Sequence, residues 1–220
     1  VKESELVSVM NRCLKDNRML YANEIRMGIG IPDIMVGYNV SVKHEKIMDY
    51  YALKIYYMIV ENNIKRISEL VERLVLPKPH VLRCIRILVN VKIIGVDNEV
   101  ITVIKRIDSI NLGVNVSIEA KIKDWKGGLV QAQRYLFFSD YSYVALPENS
   151  VKSVDIDMFN ESGIGLLAVT DDCLYEAVKP LKSTGCDLLF KYISISAVLE
   201  KTNDDAVGCE ADCKIFSVLQ

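Results

Sequence analysis

No apolar run in this 220-residue chain approaches the roughly 20 uninterrupted residues that a membrane-crossing helix needs, because charges break the longest ones. No membrane span is expected. The opening residues Val1-Lys2-Glu3-Ser4-Glu5 are acidic and helical in character, unlike a secretory leader, and the expected location is the cytoplasm. Closely spaced ligand pairs are missing as well. The six cysteines stand at 13, 84, 173, 186, 209 and 213, and only Cys209 and Cys213 are near neighbours. A tetrahedral zinc site needs closer pairs and two more ligands, so the others read as free thiols acting as small hydrophobes. Trp125 is the only Trp and reads as a loop anchor rather than a base-stacking platform. Strong net charge is also absent. A formal charge of −2 is unusual for a surface that grips a polyanion all over.

What is present is an ordinary globular composition, 50% hydrophobic and 25% charged, enough for one substantial core or two small ones. The charge is unevenly distributed. Residues 43–106 hold twelve basic and seven acidic side chains, a net of +5, while the remainder holds 15 basic and 22 acidic, a net of −7. The middle of the chain is electrostatically distinct and suits a phosphate-facing module. A mild excess of this kind is also common on solvated helices.

Periodicity gives the coarse layout. Residues 3–17 read as an amphipathic helix with Leu6, Val9, Met10, Cys13 and Leu14 on one stripe. Residues 20–27 and 31–38 read as a hairpin around the Gly28-to-Gly30 turn. Three helices follow: 45–62, with Ile47, Met48, Tyr51, Ile55, Met58 and Ile59 inward; 66–75, capped by Ser68; and 80–90, with Leu82, Ile85, Leu88 and Val89 inward. Two strands around Asp97-Asn98 close that group. Beyond it come a strand at 114–122, a helix at 126–138, a strand at 142–146, a helix at 151–161, strands at 164–169 and 174–178, and a helix at 188–199. The last residues are left unplaced.

The β-branched strand at 114–122 carries Glu119 and Lys121 two residues apart. With a side-chain period of two, both leave the sheet on one face. Burying an acid and an amine there costs several kcal/mol per ion unless they pair or bind a metal. Two readings stay open: a structural ion pair, or a metal-binding carboxylate beside a catalytic lysine. The second requires another acid from a neighbouring strand, and Asp33, alone in the apolar run 30–37, is the candidate.

Pro32-Asp33 followed by Glu119-Ala120-Lys121 resembles the active-site signature of the PD-(D/E)xK nuclease superfamily. Glu3-Ser4-Glu5-Leu6-Val7 and the run 30–37 look most like archaeal Holliday-junction resolvases within it. Gln131-Ala132-Gln133-Arg134-Tyr135 is similar to a Q-x-x-x-Y element of some branches. The resemblance implies an α/β restriction-endonuclease-like core, a central mixed sheet flanked by helices. It implies Mg²⁺ or Mn²⁺ held by Asp33, Glu119 and the Ala120 carbonyl, with Lys121 orienting or deprotonating the attacking water. Glu3 would orient the bound water or Asp33, and Gln131 and Tyr135 would position water or phosphate. Bland alternatives stand beside these: Glu3 as a first-turn acid favoured by the helix dipole, Tyr135 as a packing residue.

Helix, helix-turn-helix and β-hairpin look like a winged-helix domain. Its third helix would present Lys78, His80, Arg83 and Arg86 to DNA; a protein-binding role is the other reading, and His80 by itself reads as a surface or cap residue. Asp33 and Glu119 lie 86 positions apart, which an insertion at a loop explains cheaply. The expected organisation is a discontinuous nuclease-like domain, 1–42 and 107–220, around an inserted winged-helix domain, 43–106. The expected function is a metal-dependent DNA endonuclease acting on double-stranded or branched DNA, with a homodimer left open. The competing expectation is a non-catalytic DNA-binding, regulatory or assembly protein with the same fold. Removing Asp33 or Lys121 is expected to abolish cleavage and leave folding nearly intact.

Overall fold

The structure is a computed structural model that describes residues 2–40, 47–107, 112–202 and 215–219. The chain divides into two compact units, Val1–Val42 with Asn111–Gln220, and Lys43–Ile110. Cys209 and Cys213 lie outside the described residues.

The first unit begins with α1 (Glu3–Asp16), which buries Leu6, Met10, Cys13 and Leu14. Its first turn carries Glu3 and Glu5, and the Lys2 backbone N–H donates to Glu5 Oε2 at 2.9 Å. Strands β1 (Leu20–Asn23) and β2 (Ile34–Tyr38) form the expected hairpin, but both are shorter than the sequence suggests. Residues 24–33 lie outside the strands, although Glu24 N–H still donates to the Asp33 carbonyl at 3.2 Å. Gly28 there has φ +79°, and Pro32 has no N–H to give a neighbouring strand. Asp33 therefore stands just before β2, not within it.

The centre of the sheet is β5 (Val114–Ala120), followed by α5 (Trp125–Tyr135) and β6 (Tyr141–Pro147). Asp124 caps α5, accepting from Gly127 N–H at 3.0 Å. The helix expected at 151–161 is two, α6 (Glu148–Val151) and α7 (Ile156–Ser162). They are separated because Asp155 caps the second, accepting from Asp157 N–H at 3.1 Å. Strands β7 (Gly165–Val169) and β8 (Leu174–Val178) and helix α8 (Leu188–Lys201) complete the unit.

The six strands lie in the order β1-β2-β5-β6-β7-β8. β5, β6 and β7 are parallel and the outer pairings antiparallel, so the sheet is mixed. Helices cover both faces, which is why β5 is buried along nearly its whole length. On one face Val116, Ile118 and Ala120 pack with α1 and with Ile215, Phe216 and Leu219, which places that stretch of the tail in the core. On the other, Leu129 and Ala132 of α5 and Phe159 of α7 pack on Val144, Leu146 and Leu166. The fold is α/β, a six-stranded mixed sheet flanked by helices.

That second face also carries a buried polar row, Asn115, Ser117 and Glu119, at alternate positions of β5. At its far end Asp140 Oδ2 accepts from Lys191 Nζ at 2.7 Å and from Asn115 N–H at 2.8 Å, and Lys191 also donates to the Gly113 carbonyl. Spacing alone does not reveal this pair, because Lys191 lies on α8, 51 positions from Asp140.

The second unit contains α2 (Tyr50–Glu61), α3 (Ile67–Arg73), α4 (Lys78–Asn90) and the hairpin β3 (Ile94–Asp97) and β4 (Val100–Val103). Asn98 and Glu99 at the turn both have positive φ, as a tight two-residue hairpin requires. Three expectations are corrected. Arg66, not Ser68, precedes α3, and no side chain caps it. The inward stripe of α4 is Val81, Cys84, Ile85 and Leu88, with Val89 exposed. In α2 the core residues are Ala52, Leu53, Ile55, Tyr56 and Ile59, while Met48 and Tyr51 are exposed. Asp49 caps α2, accepting from Ala52 N–H at 2.9 Å, so the helix starts later than expected and Met48 lies outside it.

Candidate active site

The ladder between β2 and β5 pairs Ile34 with Ile118. One step further along the same antiparallel register sets Asp33 opposite Glu119, and opposed residues share a face. This register brings together two acids that lie 86 positions apart. Asp33 Oδ2 accepts from the Ala120 backbone N–H at 2.7 Å, a contact available because Asp33 precedes the first residue of β2.

Glu119 is 3% exposed and both of its oxygens are engaged. Oε1 lies 2.7 Å from Lys121 Nζ, and Oε2 accepts from the Tyr135 hydroxyl at 2.6 Å. Tyr135 projects from the last turn of α5, and its hydroxyl also approaches the Ile31 carbonyl at 3.2 Å. A phenol has one proton, so the carboxylate and the carbonyl compete for it. Glu3 Oε1, at the start of α1, is 3.9 Å from Lys121 Nζ and half exposed.

Five of the sequence-selected residues therefore converge: Glu3, Asp33, Glu119, Lys121 and Tyr135. Ala120 joins them through its N–H, which Asp33 accepts. Gln131 lies one turn before Tyr135 on α5, half-buried, and among the described residues no hydrogen bond ties it to this group. Trp125, expected as a loop anchor, is instead the first residue of α5, half-buried against Phe159 at 6.0 Å between ring centres.

Charge and burial set the acidities. Burial pushes the Asp33 carboxyl up to about 6; the Ala120 N–H and the Lys121 charge pull it down, and Glu119 and Glu3 add to the rise. Burial alone would lower the Lys121 ammonium, but its hydrogen bond to Glu119 and the charges of Glu119, Glu3 and Asp33 outweigh this and hold it above its ordinary value. Lys121 is therefore a cation here and not a base. The Tyr135 hydroxyl is driven far up by burial and by Glu119, so it stays a donor.

Among the described residues no three His, Cys, Asp or Glu side chains converge as a ready metal cage. The donor chemistry nevertheless suits a hard cation: two carboxylates and a backbone carbonyl, all oxygen. The Asp33 pKa is raised first of all by burial, and a cation bound beside the carboxylate would lower it again.

Removing the Tyr135 hydroxyl leaves one oxygen of a buried carboxylate without its donor. Tyr135→Phe is expected to cost about 1–3 kcal/mol, read by urea unfolding. Gln131→Ala is expected to stay within about 0.5 kcal/mol.

In the second unit Lys78 and Arg86 are exposed on α4. Arg83 is tied to Asp49 at 2.6 Å. His80 packs edge-on against Tyr51, 4.9 Å between ring centres, and its Nε2 is buried with no hydrogen-bond partner. Of the four residues expected to face DNA, two thus have a partner within their own unit. Asp49 could not be matched to Arg83 from sequence, since the two lie 34 positions apart on different elements.

No family model, curated protein or solved structure matches the chain.

Proposed function

We propose that this chain is a divalent-metal-dependent nuclease of the PD-(D/E)xK kind, with a restriction-endonuclease-like core and a second unit that binds DNA. The observation that carries the reading is the meeting of Asp33 with the Glu119-Ala120-Lys121 segment, sealed by the 2.7 Å bond from Ala120 N–H to Asp33 Oδ2.

Asp33, Glu119 and the Ala120 carbonyl would hold Mg²⁺ or Mn²⁺. When bound, such an ion lowers the pKa of a coordinated water and neutralises phosphate charge. The chain's own residues do the rest. Lys121, held as a cation, faces the charge that develops on the non-bridging oxygens as water adds to phosphorus and the bond to the 3′ oxygen breaks. Tyr135 fixes the Glu119 carboxylate, and Glu3 keeps the Lys121 ammonium from swinging to solvent. Tight positioning of this kind matters because a misplacement of about 1 Å costs on the order of 10²-fold in rate.

Three helices followed by a β-hairpin give the second unit the element order of a winged helix. In this reading α4 approaches the duplex with Lys78 and Arg86 leading, and Arg83 shares its charge with Asp49. Replacing Lys78, Arg83 and Arg86 together by Ala is expected to weaken DNA binding and to flatten the dependence of log K on log salt by about two to three phosphate contacts. Fluorescence anisotropy at several salt concentrations measures it. Unchanged affinity would assign this unit another partner.

The second reading is a non-catalytic DNA-binding or assembly protein. The observation that favours it is that both Glu119 oxygens already have internal partners, as in a purely structural ion pair. Nicking of supercoiled, linear and branched DNA, with Mg²⁺ or Mn²⁺ and again with EDTA, separates the two. No metal-dependent cleavage of any substrate, and no heat of Mn²⁺ binding, would leave only the second.

A further inference from the structure

Glu119 is oriented by two donors on opposite oxygens, and each donor rests on a glycine. A Cβ built on Gly30 would lie 2.5 Å from Tyr135 Cε1 and 3.1 Å from Cδ1. A Cβ built on Gly128 would lie 2.9 Å from Lys121 Cγ and 3.1 Å from Val144 Cγ1. Real Cβ atoms essentially never come closer than 3.0 Å to such neighbours, so something must shift in each case. Neither glycine has a positive φ; among the described residues the glycines that do are Gly28, Gly113 and Gly163. Backbone conformation therefore does not call for glycine at 30 or 128. Gly128 also sits inside α5, where glycine weakens a helix relative to alanine.

We propose that Gly30 and Gly128 are positioning residues, each leaving the bare backbone on which one donor to Glu119 is seated: the Tyr135 ring on Gly30 and the Lys121 stem on Gly128. The neighbours decide what must move. Tyr135 is 1% exposed and wedged beside Phe138, 5.6 Å between ring centres, so a methyl at 30 turns the ring and lifts the hydroxyl off Glu119 Oε2. Val144 is fully buried and β-branched, so at 128 it is the lysine stem that gives way, carrying the ammonium off Oε1. What the oriented carboxylate is for rests on the nuclease reading; that it is oriented through two glycines does not.

The test uses the full chain and needs neither metal nor cleavage. Two NMR signals report the donors: the slowly exchanging ¹⁵N ammonium signal of Lys121, visible while the amine is held, and the ¹³Cζ shift of Tyr135. Gly128→Ala is expected to lose the Lys121 signal and keep that of Tyr135, and Gly30→Ala the reverse. Gly185→Ala, where a Cβ meets nothing within 4 Å, should leave both unchanged. A cycle guards against a merely structural effect. Gly128→Ala should lower the urea midpoint more in the natural chain than in a Lys121→Ala background, where only the Val144 contact remains. If Gly128→Ala fails to fold, a folded Gly128→Ala/Lys121→Ala double variant supports the proposal and an unfolded one overturns it. Unchanged donor signals in both glycine variants, or an equal loss of stability in both backgrounds, also overturn it. Should the natural chain cleave nothing, the nuclease reading falls while these signals still decide the role of the glycines.

Discussion

Asp33→Asn is expected to remove metal-dependent cleavage, by about 10³-fold or more, and at the same time to make the metal-free protein more stable at neutral pH. The two effects share one cause. Burial raises the Asp33 carboxyl to about 6 from its ordinary 3.8, so the folded chain holds that proton more tightly than the unfolded chain does. A raised carboxylate contributes stability that is full below about pH 4 and is lost as pH climbs through about 6. Above that range a charged Asp33 is a burden on the fold. After discounting for its partial solvent access, the burden is about 1–2 kcal/mol. Asn keeps an oxygen to accept from Ala120 N–H but carries no charge, so its stability should be flat between pH 4 and 6 where that of the natural chain declines. Urea unfolding followed by Trp125 fluorescence, which reports the first unit, reads this directly. Adding Mn²⁺ should reverse the order. Ligand binding to the folded state stabilises by about 2.7 kcal/mol at 100-fold excess over Kd, and only the natural chain should gain it. A variant that is both less stable and still active would show that Asp33 serves the fold.

Lys121→Ala is expected to cost about 3 kcal/mol of stability and all cleavage. The sequence suggested that folding would survive this change nearly intact, and the burial of Glu119 corrects that expectation. With the ammonium gone, a carboxylate that is 3% exposed keeps only the Tyr135 hydroxyl. Breaking a buried pair by removing one partner costs about 3–5 kcal/mol, because the other charge is left uncompensated. The lower end applies, since Lys121 is 15% exposed and Tyr135 still donates. Replacing both partners, Glu119→Gln with Lys121→Met, should cost less than Lys121→Ala alone. If the single variant is as stable as the natural chain, the ammonium does not neutralise Glu119 in solution. The comparison also tests the roles: a structural pair shows only the stability effect, whereas a nuclease site shows loss of cleavage in the double variant as well.

Local pattern was legible where a residue's environment follows from its near neighbours. The stripe of α1 and the β-branched run of β5 follow from spacing, because each element buries a face set by its own period. The Glu119–Lys121 pair could be seen for the same reason, although β5 ends at Ala120 and Lys121 lies one residue beyond the strand. Errors arose where a distant partner changed the outcome. Tyr51 fits the expected stripe of α2 yet is exposed, its ring edge-on to His80 of α4, 29 positions away. Lys191 could not be assigned to Asp140, and nothing in the spacing of Gly30 or Gly128 showed that a ring and a lysine stem lie against them.

The order of residues by itself determined where most strands and helices fall though not their ends, that acid and amine share a face at 119 and 121, and that a charge-distinct stretch separates them from Asp33. Only the tertiary structure decided that β2 begins at Ile34 and pairs with β5 in the register that sets Asp33 against Glu119. It also decided that Tyr135 completes the set from α5. The physical reason is that side-chain period is a property of one element, while register and burial depend on which elements meet, and a slip of one residue would turn Asp33 to the opposite face.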